Sequence, residues 1–122
     1  MIDSNPMIPY YYTHSEMNIT ALKKQNVTKQ LNWLESGLSE TLPNTWKIIF
    51  SHHPFFTNRF DATNITNNIY PLIKKYGVTG YLNGLPLLFH IGHDHNLQIV
   101  EEAETVYITS GTGCSVHVSW IY

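Results

Sequence analysis

Helix-like segments alternate with short apolar runs along this 122-residue chain, and the alternation constrains the fold more than any other feature. Apolar side chains recur at three- to five-residue steps over residues 18–40, which predicts one amphipathic helix with Trp33 as a core anchor beside the stripe. A second helix is predicted over "NNIYPLIKKYG", with Pro71 in its first turn and Gly77 at its C-terminal end. Between them, the apolar run of Lys47–Phe50 predicts a buried strand.

The second half of the chain is predicted to be mostly strands. "VTGYL" predicts one strand, "LPLLFHI" is a further apolar run that leads into "GHDH", and "LQIVEE" with "TVYITSGTG" predicts a hairpin. At the other end, Pro6 and Pro9 are expected to exclude helix and to keep residues 1–12 extended. No internal repeat or linker interrupts the pattern, so we expect one folding unit of the α/β class.

Composition narrows the classes of function. Hydrophobic residues make up 43% of the chain, enough for a packed core, whereas charged residues make up 13% and the net charge is −2. A basic face for nucleic acid is therefore not expected. No apolar run reaches the roughly 18 residues of a membrane span, and the first residues lack the pattern of a signal peptide. The single cysteine, Cys114, excludes an intrachain disulfide and a Cys–His zinc finger.

Three Asn-x-Ser/Thr triplets, at Asn18, Asn26 and Asn64, are candidate glycosylation acceptors. If they are used, the protein passes through the secretory pathway. Such triplets also arise by chance in a chain rich in Asn and Thr, so both interpretations stay open.

Four of the seven histidines stand in two tight groups, "SHHP" and "GHDH", each directly after an apolar run. Loops at the carboxyl ends of strands are where ligands bind in α/β sheets. In an extended His-x-His step, His93 and His95 point to the same side, and Gly92 allows a close backbone approach. Neutral imidazole is a common ligand of Zn, Fe and Mn. The pattern predicts a metal site, with hydrogen-bonded loop histidines as the alternative.

Six stretches in order, "IDSNP", "QLNWLESGL", "WKIIFSHHP", "YGVTGYLNG", "GHDHNLQ" and "YITSGTG", resemble the C-terminal half of calcineurin-like metallophosphoesterases. More closely, they are similar to the purple acid phosphatases of the tartrate-resistant type. The resemblance implies a partial metallophosphoesterase α/β sandwich, with mixed sheets flanked by helices and truncated at both ends. Residues 1–122 would be the C-terminal part of that single domain. With one layer missing, apolar strand faces are expected to be exposed.

The resemblance implies a fragment of a metal-dependent acid phosphatase that hydrolyses phosphate monoesters at a dinuclear metal site. Two metal ions are implied for the intact parent, Fe plus Zn, Mn or Fe, and an incomplete set for this chain. The implied partner is a phosphate-ester substrate, with no nucleic acid and no membrane span. For the parent protein, a secreted or lysosomal location is implied.

Site residues follow from the same resemblance. His52 and His93 match ligands of the divalent ion, and His95 matches a ligand of the ferric ion. His53 falls where the family often has tyrosine, so it is expected to line the pocket and is a candidate for a catalytic role. Asp61 stands nine residues after His52, where the small purple phosphatases have a histidine near the leaving group. It is the other catalytic candidate, with a solvated loop carboxylate as the favoured alternative.

Two departures from the family pattern leave alternatives open. The chain has no Gly-Asp and no Asn-His pair, so the carboxylate-bearing motifs that complete the metal site in the family are absent. Residues Leu85–Gly92 also separate "GYLNG" from "HDHNLQ", which the relatives join directly, and are interpreted as a possible insertion. A non-catalytic, metal-binding remnant of the fold and a phosphodiesterase relative therefore remain alternatives to the phosphatase fragment.

Overall fold

The computed structural model describes residues 1–13, 19–57, 62–83 and 97–111. Two 3₁₀ helices, Asn5–Met7 and Pro9–Tyr12, precede three α-helices. The α-helices are α1 (Ile19–Lys23), α2 (Val27–Ser39) and α3 (Ala62–Tyr76). The strands are β1 (Ile48–Ser51), β2 (Gly80–Asn83), β3 (Leu97–Glu102) and β4 (Thr105–Ser110). Within these ranges, no helix has the length and hydropathy needed to cross a bilayer.

The four strands form one mixed sheet in the order β1-β2-β4-β3. β2 pairs parallel with both β1 and β4, whereas β3 pairs antiparallel with β4. The predicted hairpin and the predicted α/β class with a mixed sheet flanked by helices are therefore confirmed. In register across the carboxyl ends of the three parallel strands lie Ser51, Asn83 and Thr109.

The two faces of the sheet differ in what covers them. On one face, Tyr81 and Tyr107 belong to the same buried cluster as Ile65, Ile69 and Ile73 of α3. The opposite face is apolar yet open to solvent. Its exposed members and their exposed fractions are Ile48 at 43%, Phe50 at 37%, Leu97 at 68%, Ile99 at 68% and Val106 at 36%. This face confirms the expectation that an apolar sheet face is left exposed.

The single helix predicted over residues 18–40 is wrong, because the chain forms α1 and α2 with a break at residues 24–26. Asn26 takes an extended conformation at the break, and its side chain accepts a hydrogen bond from the Lys29 N–H at 2.9 Å. Asparagine is among the best N-cap residues, so it starts a new helix here. The core role expected of Trp33 is also wrong, since its side chain is 59% exposed. The buried stripe of α2 runs through Leu34 and Leu38.

Proline positions account for the other differences. α3 begins at Ala62, so Pro71 lies in its interior and not in its first turn. The helix continues past the missing N–H because Ile65, Ile69 and Ile73 are all at most 1% exposed on one face. Gly77 ends the helix as predicted, with a φ of 57°. Pro6 and Pro9, expected to exclude helix, instead lie at the second position of the first 3₁₀ helix and the first position of the second, within the opening turn where proline is tolerated.

Candidate functional site

His52 is the first residue after β1, at the carboxyl edge of the parallel part of the sheet. Its neighbour across the edge is the end of β2, because Ser51 pairs in register with Asn83. The His52 side chain is half-buried, and its ring meets the ring of His53 edge-on, with centroids 4.7 Å apart and planes at 90°. This is the position at which ligands bind in parallel α/β sheets.

His53 is 1% exposed, and both of its ring nitrogens are hydrogen-bonded. Nδ1 lies 2.7 Å from the Ser4 hydroxyl, and Nε2 lies 2.9 Å from the Tyr11 hydroxyl. The backbone carbonyl of His53 accepts a third bond from the Tyr81 hydroxyl at 3.0 Å. The residue is thus anchored on three sides. A direct catalytic role for His53 stays a prediction, and the geometry supports a structural one.

The Tyr81 hydroxyl, which donates a hydrogen bond to the His53 carbonyl, stays protonated because it is buried. Burial in the core raises the pKa of its hydroxyl above the usual range for tyrosine, so the group stays protonated at neutral pH. Its ring packs edge-on against Phe55, with centroids 4.3 Å apart. The hydroxyl can therefore hold the His53 carbonyl without competition from ionisation.

The N-terminal segment is fixed beside the histidine loop by helix α2. The side-chain amide of Gln30 accepts from the Asp3 N–H at 2.7 Å and donates to the Asp3 carbonyl at 2.8 Å. The Ile2 N–H donates to the Phe50 carbonyl at 2.9 Å, which holds the segment along the outer edge of β1. Gln30 is the first residue of the "QLNWL" motif, and its structural role is to hold the backbone of Asp3 against α2. Sequence reasoning missed it, although a polar residue beside an apolar stripe was a signal.

Ser4 completes the connection between the N-terminal segment and the loop. It is fully buried, and its hydroxyl oxygen contacts the Ser51 hydroxyl at 2.9 Å and the His53 N–H at 3.3 Å, besides the His53 ring. Buried polar groups in protein interiors are paired in this way because an unpaired one is costly. Ser4, Ser51 and His53 therefore form one small internal network at the end of β1.

Asn83, at the end of β2, is the second feature that sequence reasoning missed. It is 1% exposed, and its Nδ2 donates to the Ile108 carbonyl at 3.1 Å and to the Thr109 hydroxyl at 3.2 Å. Its Oδ1 is buried without a hydrogen-bond partner in the described part of the chain. Such an acceptor costs about 1–3 kcal/mol unless a donor or a cation meets it. A polar residue that ends an apolar strand was the available signal.

The structure describes some of the predicted site residues. His52 and His53 lie together at the carboxyl edge, Asn26 is exposed at the start of α2, and Asn64 is half-buried in α3. Other predicted residues lie outside the described residues: Asn18, Asp61, the segment Leu85–Gly92, His93 and His95. Over residues 1–13, 19–57, 62–83 and 97–111, no three His, Cys, Asp or Glu side chains are grouped to hold a metal ion.

Comparison with known proteins agrees with the motifs. Purple acid phosphatase 17 of Arabidopsis thaliana is 29% identical over 121 residues, which cover 92% of this chain and 33% of that protein. Tartrate-resistant acid phosphatase type 5 of Rattus norvegicus is 32% identical over 87 residues, which cover 69% of this chain and 24% of that protein. The chain is a relative of the purple acid phosphatases. The resemblance predicted from the motifs is thereby confirmed, and the chain spans about a quarter to a third of the length of these relatives.

The other comparisons concern the fold and the family models. A solved structure titled "GAP50 the anchor in the inner membrane complex of Plasmodium" matches with a TM-score of 0.59 at 20% identity. The match covers 93% of the 122-residue chain and 31% of the solved protein, and it bears on the fold alone. No protein-family model matches the chain.

Proposed function

We propose that this chain is part of a metal-dependent acid phosphatase that hydrolyses phosphate monoesters, and that it supplies histidine ligands to the metal centre. The observation that carries the proposal is the position of His52 at the carboxyl edge of β1, beside the end of β2. The chain beyond β2 contains His93 and His95, the two other ligands that the resemblance implies. The similarity to purple acid phosphatases supports the choice of reaction.

The donors on this edge suit the proposed metal ions. His52 keeps part of its imidazole in solvent, and imidazole nitrogen is a common ligand of Zn, Fe and Mn. The buried Oδ1 of Asn83, unpartnered within the described ranges, is an oxygen donor at the neighbouring strand end. These donors fit one side of a metal site. Carboxylates that would complete it are to be supplied from outside the described residues.

The residues of this chain then have separate tasks. When bound, the metal ions would supply the positive charge that stabilises the phosphoryl oxygens and activates water. His52, His93 and His95 would bind these ions as neutral imidazoles. Asp61 is the residue proposed to transfer a proton to the leaving alcohol, with a solvated carboxylate as its alternative role.

A secreted or lysosomal location with N-glycosylation belongs to the same proposal. Of the two described acceptors, Asn26 is the better substrate because it is exposed in a break between helices. A glycan attached to its Nδ2 would leave Oδ1 able to cap α2 through the Lys29 N–H. Asn64 is half-buried inside α3, which makes it less accessible to a transferase.

A non-catalytic, metal-binding remnant is the second candidate. The sequence contains neither a Gly-Asp nor an Asn-His pair, so a chain acting by itself would lack the carboxylate motifs of the family. A phosphodiesterase is less favoured, since the relatives reported above are acid phosphatases.

The deciding experiment is metal content and turnover of the 122-residue chain. Elemental mass spectrometry after gel filtration in the presence of ZnCl₂ would measure bound Zn²⁺, with His52→Ala and His93→Ala beside a control variant, His14→Ala, which lacks ligand spacing. Loss of Zn²⁺ in the first two variants alone supports the ligand assignment. Equal Zn²⁺ in all four proteins refutes it. Hydrolysis of p-nitrophenyl phosphate at acid pH then separates an active phosphatase from the non-catalytic candidate.

A further inference from the structure

The hydrogen bonds around Ser4 define the protonation pattern of the His53 ring. A hydroxyl group has one proton to donate and two lone pairs that accept. The Ser4 oxygen accepts from the Ser51 hydroxyl at 2.9 Å and from the His53 N–H at 3.3 Å, which uses both lone pairs. Its proton therefore goes to Nδ1 of His53, 2.7 Å away. Nδ1 is then an acceptor, and the ring proton resides on Nε2, which donates to Tyr11 at 2.9 Å.

We infer that His53 is a positioning residue for His52, held as the Nε2–H tautomer between Ser4 and Tyr11. The inference rests on the proposed function in one respect, namely that His52 is a metal ligand. The contact that transmits the effect is the edge-on packing of the two imidazole rings, 4.7 Å between centroids and perpendicular.

A rigid neighbour matters for His52 because of where it lies. The side chain follows the last residue of β1 and is half-buried, so its ring lies at the end of the strand and is partly exposed to solvent. A metal ligand has to be held within about 10–20° of its productive orientation. His53 is 1% exposed, with both nitrogens and its carbonyl bonded, and so offers His52 a fixed surface.

The fixed surface is itself tied to helix α2. Gln30 holds the backbone of Asp3 through two hydrogen bonds, at 2.7 and 2.8 Å. Asp3 precedes Ser4 directly, so the position of the Ser4 hydroxyl follows from the Gln30 clamp. The path from α2 to the proposed ligand therefore runs through Gln30, Asp3, Ser4, His53 and His52.

The first test is the tautomer of His53 in the isotope-labelled 122-residue chain. Long-range proton–nitrogen correlation spectra distinguish a protonated from an unprotonated ring nitrogen. We expect a protonated Nε2 and an unprotonated Nδ1. In Tyr11→Phe, the Nε2 proton loses its acceptor and is expected to exchange faster with water. A wild-type ring protonated on Nδ1, or one that averages between tautomers, would overturn the inference.

The second test is Zn²⁺ affinity by titration calorimetry with ZnCl₂. Loss of a group that orients a metal ligand typically weakens affinity 10- to 100-fold, and we expect about ten-fold for Ser4→Ala and for Tyr11→Phe. Tyr12→Phe is the matched control, because the Tyr12 hydroxyl donates to the Pro6 carbonyl at 3.1 Å and lies in the adjacent position. Its affinity should stay within about two-fold of wild type on the same scale. Tyr11 is half-buried, so its variant is expected to fold even if Ser4→Ala does not.

His52→Ala separates this inference from the proposed function. Unchanged Zn²⁺ affinity in His52→Ala refutes the ligand role and, with it, the proposed function. Lost affinity in His52→Ala together with unchanged affinity in Ser4→Ala and Tyr11→Phe leaves the ligand role standing and overturns the positioning role. A lower melting temperature without a change in Zn²⁺ affinity has the same meaning, because a purely structural network would produce it.

Discussion

Removing the side-chain amide of Gln30 should destabilise the chain by about 2 kcal/mol, because each of its two hydrogen bonds to the Asp3 backbone contributes about 1 kcal/mol. With an unfolding entropy of about 2.1 cal/mol/K per residue over 122 residues, this corresponds to a fall in melting temperature of about 8 °C. Gln30→Glu should be worse than Gln30→Ala. The carboxylate keeps an acceptor for the Asp3 N–H but sets a second oxygen against the Asp3 carbonyl.

Urea unfolding followed by circular dichroism would measure these changes as shifts in midpoint at constant slope. Gln25→Ala is the matched control, since Gln25 also bonds to Asp3 but through an exposed side-chain contact at 2.8 Å. Its effect should stay within about 0.5 kcal/mol. The reasoning fails if Gln30→Ala costs no more than Gln25→Ala, or if Gln30→Glu is as stable as wild type. Either result would mean that the amide does not hold the N-terminal segment.

Three further predictions concern the rest of the sheet. Ala103 and Glu104 form the β3–β4 turn with φ angles of 48° and 69°, a conformation that Asn-Gly adopts with less strain. Asn-Gly at these positions should therefore raise the free energy of unfolding, measured with urea, by about 1 kcal/mol. No gain would contradict strain in the turn. Because burial raises the pKa of Tyr81, its stabilising contribution is complete below the unfolded value of about 10 and is lost as the pH rises above it. Tyr81→Phe should therefore lose less stability than wild type between about pH 10 and 12, and parallel losses would refute this. Ile99 is 68% exposed on β3, and exposed apolar strands promote association between chains. Ile99→Lys should therefore increase the monomer fraction in gel filtration and change the free energy of unfolding by less than about 0.5 kcal/mol. An unfolded variant would show instead that the side chain is needed in the core.

The strands could be predicted from sequence because burial leaves a direct trace in it. β1 and β2 are short apolar runs, and β3 and β4 flank a two-residue connection. The helix boundaries were harder, since they depend on which local preference prevails. At residue 26, capping by the asparagine side chain outweighed the apolar stripe that continued through it. At the start of α3, burial of Ile65 outweighed the weak helix propensity of the Thr and Asn residues around it.

The site shows the same division between local and distant information. The location of His52 follows from an apolar run that ends in a loop, which is a local pattern, and parallel pairing then places it beside the end of β2. The environment of His53 could not be read in this way. Its partner Ser4 is 49 residues away in sequence, and nothing in either local pattern specifies that they meet. The sequence predicted His52 as a ligand and His53 as a pocket-lining residue, and the fold leaves the first ring partly in solvent and buries the second.

That asymmetry argues for what the second histidine does. Both ring nitrogens of His53 are hydrogen-bonded inside the protein, so neither is available to bind a metal ion. The neighbouring ring of His52 is half-buried and can reach an ion from the solvent side. Tyrosine, frequent at this position in the family the motifs resemble, has one polar side-chain atom, so both partners would have to meet at a single hydroxyl oxygen. Histidine can join Ser4 and Tyr11 at once, and thereby links two separate parts of the N-terminal segment to the loop that carries His52. The exchange of tyrosine for histidine is thus expected to stiffen this loop and to add no further ligand to it.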